Sequence, residues 1–472
     1  MSGKLWSLDA MVEAMGARPV GDMPNGIGGL SIDTRSLNKG DAYFAIKGDV
    51  HDGHKFVANA YEAGAGLSVV SEDWLDKLEG ETGPLLVVGD VLVAMEQLGI
   101  AARARTNARV IAVTGSVGKT TTKEALRTAL SPSGNVHAAV ASFNNHWGVP
   151  LTLGRMAADT DFAIIEIGMN HPGEITPLVK MARPHVAMIM NVAAVHLGAF
   201  KDIDEIALAK AEIFDGLEPE GTVILNGDDT RLGLLESRAA ALWIKNIVRF
   251  GEGDNIQSHL DKIVLHGHCS CLTASILGDK MVVKVGAPGR HIAHNVLAVL
   301  SAVKLVGGDL AKAGLALAEM QAVKGRGQQH RLSFPGDRII LIDESYNANP
   351  TSMGAALALL AAAKTKARGR HVAILGDMLE LGPTSEELHA DLASVILAND
   401  IDCVFLAGAE MKALEKVLLG KVECTHAETI EELIPLVISD LRAGDAMMAK
   451  ASLGMKFARL IEELLRVYPQ QT

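Results

Sequence analysis

The stretch VIAVTGSVGKTTTKEAL, Val110–Leu126, contains an apolar segment, a glycine-containing turn and a helix-forming segment in that order. The first segment is rich in β-branched side chains, which favour a strand. Gly115 and Gly118 permit backbone dihedrals that other residues disfavour, so successive N–H groups can face an anion at the start of the helix. This layout predicts a phosphate-binding loop.

Two residues after the second glycine would complete such a site. Lys119 can reach the β and γ phosphates of a nucleoside triphosphate, and Thr120 can offer its hydroxyl to Mg²⁺. The common form of the motif has a glycine five residues before Gly118, where this chain has Val113. The sequence therefore predicts a variant phosphate loop.

Length and composition narrow the class of protein. A chain of 472 residues, 49% of them apolar and 21% charged, is long enough for about three globular domains. Its formal net charge of -12 disfavours a general affinity for nucleic acid. No run of residues reaches the ~18 apolar residues that cross a bilayer, and the first residues lack the apolar core of a secretory signal. We expect a cytoplasmic protein with no nucleic-acid partner and no membrane insertion.

The middle of the chain alternates short apolar segments with helix-forming ones. The apolar segments VIAVTG, FAIIEIG, HVAMIMNV and GTVILNGDD predict a parallel sheet covered by helices on both faces. Ligands of such sheets bind at the carboxyl ends of the strands. The polar residues at those ends are Thr114, Glu166, Asn191 and Asn226.

The rest of the chain predicts two further α/β units. The last third repeats the alternation with RIILIDESYN, HVAILGDM, DCVFLAG and DAMMAKAS, and the segment AVKGRGQQHRLSFPGDR before it has the composition of a hinge. A smaller unit precedes the central one. We therefore predict domains at residues 1–88, 89–326 and 327–472.

Three side chains near the predicted loop have both structural and functional interpretations. Glu166 lies in an apolar strand, where a carboxylate is costly unless a cation or a structural ion pair meets it. His196 follows the third central strand and, taken alone, is typical of a structural histidine. Lys210 lies on a helical segment, where a solvated lysine is the default. Residue chemistry leaves these alternatives open.

Several stretches together resemble the Mur ligase family, whose members are ATP-dependent amino-acid and peptide ligases of cell-wall precursor synthesis. TGSVGKTT is similar to the variant phosphate loop of that family, and DTRSLNKGDAYFAIKG with DGHKF resembles its UDP-sugar-binding segment. EIGMNHPGEI, DESYNANPTSM and LGDMLELGPTSEELH resemble stretches of the member that adds a dipeptide. The resemblance implies a small N-terminal α/β domain, a central P-loop ATPase-like domain with a parallel sheet, and a C-terminal Rossmann-like α/β domain.

The activity implied by this resemblance is the ATP-dependent joining of D-alanyl-D-alanine to UDP-N-acetylmuramoyl-tripeptide through an acyl phosphate. The products would be UDP-N-acetylmuramoyl-pentapeptide, ADP and phosphate, in peptidoglycan precursor synthesis. The first domain would bind the UDP-sugar, the second ATP with Mg²⁺, and the third the acceptor dipeptide. A monomer is expected.

Other functions remain open at this point. The closest is the Mur ligase that adds the third amino acid, diaminopimelate or lysine, to the UDP-linked dipeptide. Its DNPR stretch is absent here, and DESYNANP stands in a comparable region. A folate polyglutamate ligase and a nucleotide-switched regulatory protein are weaker alternatives.

The resemblance also implies roles for single residues. The catalytic set would be Lys119, His196, Lys210 and Arg326, and the metal ligands would be Thr120, Glu166, His196 and Lys210 after carbamylation. The ATP-binding set would be Thr114, Gly115, Ser116, Val117, Gly118, Lys119, Thr120, Asn144, Asn145, Asn295 and Arg326. The UDP-sugar would be bound by Thr34, Arg35 and Ser36, and the acceptor side would contain Asp343, Tyr346, Asn347 and Asn349.

Overall fold

The computed structural model describes residues 4–48, 50–78, 83–195, 197–363 and 369–470. These residues form three α/β domains in chain order, and the predicted fold class is confirmed. No helix in the described ranges is both long enough and apolar enough to span a membrane.

The N-terminal domain contains a five-stranded sheet in the order β2-β7-β6-β5-β4, in which only β2 is antiparallel to its neighbour, and a ribbon of β1 and β3. Helix α3 packs its apolar side onto this sheet. The bounds are β1 Trp6–Ser7, α1 Leu8–Met15, β2 Arg18–Val20, β3 Gly26–Ile27, β4 Leu30–Ser31, β5 Ala42–Phe44, α2 Val57–Glu62, β6 Leu67–Ser71, β7 Leu85–Val88 and α3 Val91–Ala104.

The central domain contains a nine-stranded sheet in the order β16-β15-β14-β13-β12-β11-β8-β10-β9. Strands β8 to β14 are parallel to one another, and β15 is antiparallel to both β14 and β16. The bounds are β8 Arg109–Thr114, α4 Lys119–Leu130, β9 Val136–Ala138, α5 Gly148–Gly154, β10 Phe162–Glu166, α6 Ile175–Ala182, β11 Val186–Ile189, α7 Ile203–Ala211, β12 Thr222–Asn226, α8 Leu232–Ala241, β13 Asn246–Gly251, β14 Ser258–Leu265, β15 Ser270–Ile276, β16 Asp279–Val285, α9 Arg290–Leu305 and α10 Leu310–Ala316.

Helices cover both faces of the parallel part of this sheet. Helices α4 and α9 pack on one face, and α5, α6, α7 and α8 pack on the other. Every residue of β10 is therefore buried, as is typical of a parallel strand between two helical layers. Because β8 lies between β10 and β11, the carboxyl ends of these strands meet at one edge, where the loop before α4 begins.

The C-terminal domain contains a six-stranded sheet in the order β17-β18-β22-β19-β20-β21, parallel except for β17. Helices α11, α12 and α13 pack on one face, and α14 and α15 on the other. The bounds are β17 Gln328–Phe334, β18 Asp337–Glu344, α11 Pro350–Ala361, β19 His371–Gly376, α12 Ser385–Ala398, β20 Cys403–Ala407, α13 Met411–Leu418, β21 Glu423–Ala427, α14 Ile430–Asp440, β22 Ala446–Lys450 and α15 Ala458–Val467.

The N-terminal domain is joined to the central domain by direct hydrogen bonds. The Trp6 indole N–H donates to Gly154 O at 2.8 Å, and the Arg155 guanidinium donates twice to Leu30 O, at 2.8 and 2.6 Å. The guanidinium of Arg105 stacks on the Trp6 ring, 3.4 Å from its centroid. These contacts fix the first domain against helix α5.

Candidate active site

The turn between β8 and α4, which the sequence predicts to bind phosphate, contains a glycine in a left-handed conformation. Gly118 precedes α4 with φ 85°, a left-handed conformation that favours glycine. A Cβ at this position would also lie 2.9 Å from Nδ2 of Asn295. Both constraints explain the glycine, and the second places Asn295 directly over the loop.

Asn191, at the end of the neighbouring strand, holds the first part of this loop. Its backbone carbonyl accepts from Ser116 N at 3.0 Å, and its side-chain Oδ1 accepts from Val117 N at 2.9 Å. The Ser116 hydroxyl donates to Ala193 O at 3.0 Å. Two of the loop's amide groups are therefore directed to protein acceptors, which fixes the loop against the segment after β11.

Lys119 is folded back over the loop, with Nζ donating to Gly115 O at 2.7 Å. Burial lowers the pKa of Lys119, the Glu166 carboxylate opposes that effect, and the Arg326 guanidinium adds to it. Lys119, Glu166 and Arg326 line one cavity, so two cations and one carboxylate border the same space.

Glu166 forms the polar centre of the site. It is 1% exposed, and its Oε1 accepts from Thr120 Oγ1 at 3.1 Å and from Asn144 Nδ2 at 2.8 Å. The other oxygen, Oε2, is buried and has no hydrogen-bond partner among the described residues. The Thr120 hydroxyl and Glu166 Oε2, which has no partner among the described residues, are oxygen ligands of the kind that Mg²⁺ prefers.

Lys210 lies in the last turn of α7 and is 2% exposed, so it is not the solvated helix lysine of the default interpretation. Burial, with a contribution from the charge of Lys119, lowers the pKa of Lys210 well below its ordinary value. His196 lies outside the described residues. The roles assigned to both residues stay predictions.

Arg326 reaches the site from the segment that connects the central and C-terminal domains. Its guanidinium lies over the ring of Tyr346, 4.2 Å from the centroid. The carboxylate of Asp343 accepts from Gly325 N at 3.0 Å and from the backbone and hydroxyl of Ser345 at 3.1 and 2.6 Å. The Asp343 side chain therefore organises the end of this connecting segment.

The start of α11 supplies the opposite wall. Asn349 caps this helix by accepting from Ser352 N at 2.9 Å, and its own Nδ2 is buried without a hydrogen-bond partner in the described part of the chain. Nearby, the buried Nζ of Lys450 donates to Asn347 O at 2.8 Å and to Glu344 Oε2 at 3.1 Å.

These groups surround a cavity of about 370 Å³ between the phosphate loop and the C-terminal domain. A second, more apolar cavity of about 400 Å³ adjoins it and includes Pro288, Ala358 and Leu359 in its wall. Asn295 and His291 line both cavities. The arrangement offers one polar compartment for charged groups and one more apolar compartment beside it.

Some residues named from the sequence lie apart from this cluster. Asn145 accepts from Gly148 N at 3.0 Å and so closes the turn before α5. Thr114 is buried at the end of β8. The set Thr34, Arg35 and Ser36 forms a short turn of the N-terminal domain, where Arg35 pairs with Asp33 at 2.7 Å and its side chain is 88% exposed.

The sequence predicts no role for four groups at or beside the site: Lys123, Ser142, Glu344 and the Lys450 ammonium. Lys450 ends the apolar strand segment AMMA, a position comparable to that of Glu166, and this pattern could have drawn attention to it. Ser142 carried no such signal.

Comparison with known proteins gives the same family for the whole chain. The descriptions that match are "Mur ligase family, catalytic domain" at residues 26–117, "Mur ligase middle domain" at 113–303, and "Mur ligase, glutamate ligase domain" at 325–453.

Individual relatives extend over most of the chain. A UDP-N-acetylmuramoyl-tripeptide--D-alanyl-D-alanine ligase from Rickettsia prowazekii is 32% identical and covers 92% of this chain and 94% of the relative. A protein of the same name from Escherichia coli K12 is 35% identical over 82% of each chain. A crystal structure of MurF from Acinetobacter baumannii superposes with a TM-score of 0.85 at 28% identity, covering 99% of this chain and 100% of that one. The chain belongs to the Mur ligase family.

Proposed function

We propose that this protein is an ATP-dependent ligase that joins D-alanyl-D-alanine to UDP-N-acetylmuramoyl-tripeptide in peptidoglycan precursor synthesis. The observation that carries the proposal is the cavity in which Lys119, Glu166 and Arg326 converge, in a chain whose curated relatives bear the name of this ligase. That shared name favours this activity over addition of the third amino acid.

The reaction needs activation because a carboxylate is a poor acyl donor. A carboxylate oxygen of the tripeptide attacks the γ-phosphorus of ATP, and the bond from that phosphorus to the β,γ-bridging oxygen breaks to release ADP. The amine of the dipeptide then attacks the acyl carbon, the bond from carbon to the phosphate oxygen breaks, and the amine loses a proton. The products are the amide and inorganic phosphate.

The residues of the polar cavity would position and neutralise the reacting phosphate. Lys119 and Arg326 would contact its oxygens from two sides, which stabilises charge in the transition state. Thr120 and Glu166, with a carbamylated Lys210, would hold Mg²⁺. When bound, Mg²⁺ supplies further neutralisation of the phosphate oxygens.

The neighbouring apolar cavity would accept the adenine ring. Its walls include the aliphatic side chains of Ala358 and Leu359, and Asn295 lines both compartments. An aromatic base buries apolar area there while its phosphates stay in the polar compartment.

The two remaining substrates would approach from opposite domains. The UDP-sugar would bind at the turn of Thr34, Arg35 and Ser36 in a domain of residues 1–88. The acceptor dipeptide would bind to a domain of residues 327–472, where the Nδ2 of Asn349 is available for a carboxylate. Asp343 would support this wall, and Tyr346 and Asn347 would line it.

Closure of the C-terminal domain would exclude water from the acyl phosphate, which hydrolyses readily. The connecting segment contains Gly325 and Gly327, with φ of 73° and 90°, and glycine backbone tolerates the dihedral changes that a hinge would need. Because its proposed substrates are ATP and a UDP-linked precursor, we further propose that the protein acts in the cytoplasm. We also propose that it acts as a monomer.

The acceptor can be identified by mass spectrometry of the reaction products. With UDP-N-acetylmuramoyl-tripeptide and ATP, D-alanyl-D-alanine is expected to give the pentapeptide with one phosphate released per amide. The matched control replaces the dipeptide with free D-alanine, and the enzyme should release much less phosphate from ATP in that reaction. Efficient addition of diaminopimelate or lysine to the UDP-linked dipeptide would instead identify the alternative ligase.

A further inference from the structure

Lys123 is a buried lysine to which the proposed mechanism gives no task. It lies on α4, one turn after the phosphate loop, and is 1% exposed. Its Nζ donates to Ala139 O at 2.7 Å and to Ala141 O at 3.2 Å, and lies 2.9 Å from a carboxylate oxygen of Glu124. A buried ammonium is costly unless such acceptors surround it.

The two carbonyl acceptors, Ala139 O and Ala141 O, belong to the segment that follows β9, here called the 139–144 loop. This loop carries Ser142, whose hydroxyl lies 3.1 Å from Thr120 Oγ1, and Asn144, whose amide donates to Glu166 Oε1 at 2.8 Å. One loop therefore contacts two of the residues that the proposed function assigns to the metal ion, Thr120 and Glu166. The lysine is attached to the same loop a few residues earlier.

The residues of the 139–144 loop that contact the lysine have little apolar packing, whereas Phe143, later in the loop, packs against the core of the N-terminal domain. Val140 is 86% exposed and Ala141 is also exposed, while Ala139 is buried. Without the ammonium, the buried carbonyl of Ala139 would lose its donor, and leaving a buried acceptor without a partner costs about 1–3 kcal/mol. Movement of the loop toward water would relieve that cost.

We propose that Lys123 is a positioning residue that fixes the 139–144 loop and thereby orients Thr120 and Glu166. Lys119 and Thr120 begin α4, and Lys123 lies one turn further along this helix. The first turn of α4 therefore contributes to the proposed phosphate site, and the second turn holds the loop that supports that site. This inference rests on the proposed function, because it gives Thr120 and Glu166 the task of holding Mg²⁺.

The test measures binding and local exchange instead of ligation. A non-hydrolysable ATP analogue is titrated into the full chain with and without MgCl₂. In Lys123→Met the gain in affinity from Mg²⁺ should fall about tenfold or more, as is usual when a group supporting metal ligands is removed. Amide exchange should accelerate in the 139–144 loop and stay unchanged in β8.

Arg127→Met is the matched control, because Arg127 lies on the same helix, pairs with the same Glu124 at 2.7 Å, and is 55% exposed. It should keep both the Mg²⁺ gain and the exchange pattern. If Lys123→Met does not fold, Lys123→Gln replaces it, since the shorter amide keeps a donor but does not reach both carbonyls.

A double-mutant cycle separates positioning from general stability. In an Asn144→Ala background, Lys123→Met should reduce the Mg²⁺ gain much less than it does in the wild type. Either of two results would overturn the inference. One is that the effects of Lys123→Met and Asn144→Ala on the Mg²⁺ gain are fully additive. The other is that a folded Lys123→Met protein keeps both the Mg²⁺ gain and the amide exchange of the loop unchanged. A wild-type protein that binds the analogue equally with and without MgCl₂ would contradict the proposed function instead.

Discussion

Lys119→Ala is expected to lower kcat for phosphoryl transfer by at least about a hundredfold, the scale on which loss of one preorganised charge-stabilising donor acts. The Lys119 side chain lines the same cavity as Glu166 and Arg326, so in the proposed mechanism a transferred phosphate would lose one of its two cationic partners. Phosphate release in the presence of both acceptor and tripeptide measures the effect.

The fold should survive this substitution. The hydrogen bond recorded for Lys119 Nζ is to Gly115 O of its own loop. Thermal unfolding should therefore change little. Lys304→Ala is a suitable control, because Lys304 lies on α9 of the same domain and pairs with Asp279 at 2.7 Å. A folded Lys119→Ala protein that turns over at the wild-type rate would contradict the proposed role.

Lys210→Ala is expected to be nearly inactive, with part of the rate restored by acetate. A protonated Lys210 beside a divalent cation would be repelled by about 4 kcal/mol or more, taking unit charges about 4 Å apart and an effective dielectric constant near 20. Burial lowers the pKa of this lysine, which favours the neutral amine that reacts with CO₂. The product, a carbamate with one proton released, reverses the sign of the side chain.

Two variants and one spectrum distinguish this account from a structural role for Lys210. Lys210→Arg keeps a positive charge but cannot form the carbamate, so it should be as inactive as Lys210→Ala. Lys210→Glu should retain weak activity. Incubation with ¹³C-labelled bicarbonate should give a carbamate resonance that Lys210→Arg lacks. Wild-type rates in Lys210→Ala without added acid would show that the lysine is dispensable.

The polar strand ends illustrate what the sequence can predict. Thr114, Glu166 and Asn226 end strands β8, β10 and β12, and parallel strands bring their carboxyl ends to one edge of the sheet, so their place at this edge follows from periodicity and fold class. The phosphate loop was equally predictable, because glycine, lysine and helix start are adjacent in the chain. In such a turn, the order of residues along the chain determines the backbone geometry.

Long-range partners were not predictable in the same way. Lys123 belongs to a helix in which lysine is common, and only the folded chain shows that its ammonium meets the carbonyls of Ala139 and Ala141. The Asp343 side chain likewise bonds to Gly325, 18 residues away, instead of pointing to a substrate. Such contacts depend on how elements pack, and a single sequence carries no periodic signal for them.

The attachment of the first domain to helix α5 would let the protein select its peptide substrate by length. Trp6 and Arg155 hold the N-terminal domain against the end of α5. If the UDP-sugar binds at the proposed turn of that domain, the distance from this turn to the phosphate loop sets how far from the UDP group the reactive carboxylate has to lie. An extended peptide advances about 3.3–3.6 Å per residue. A dipeptide precursor would end that far short of the γ-phosphate, and peptide length would be selected without any contact to the missing side chain.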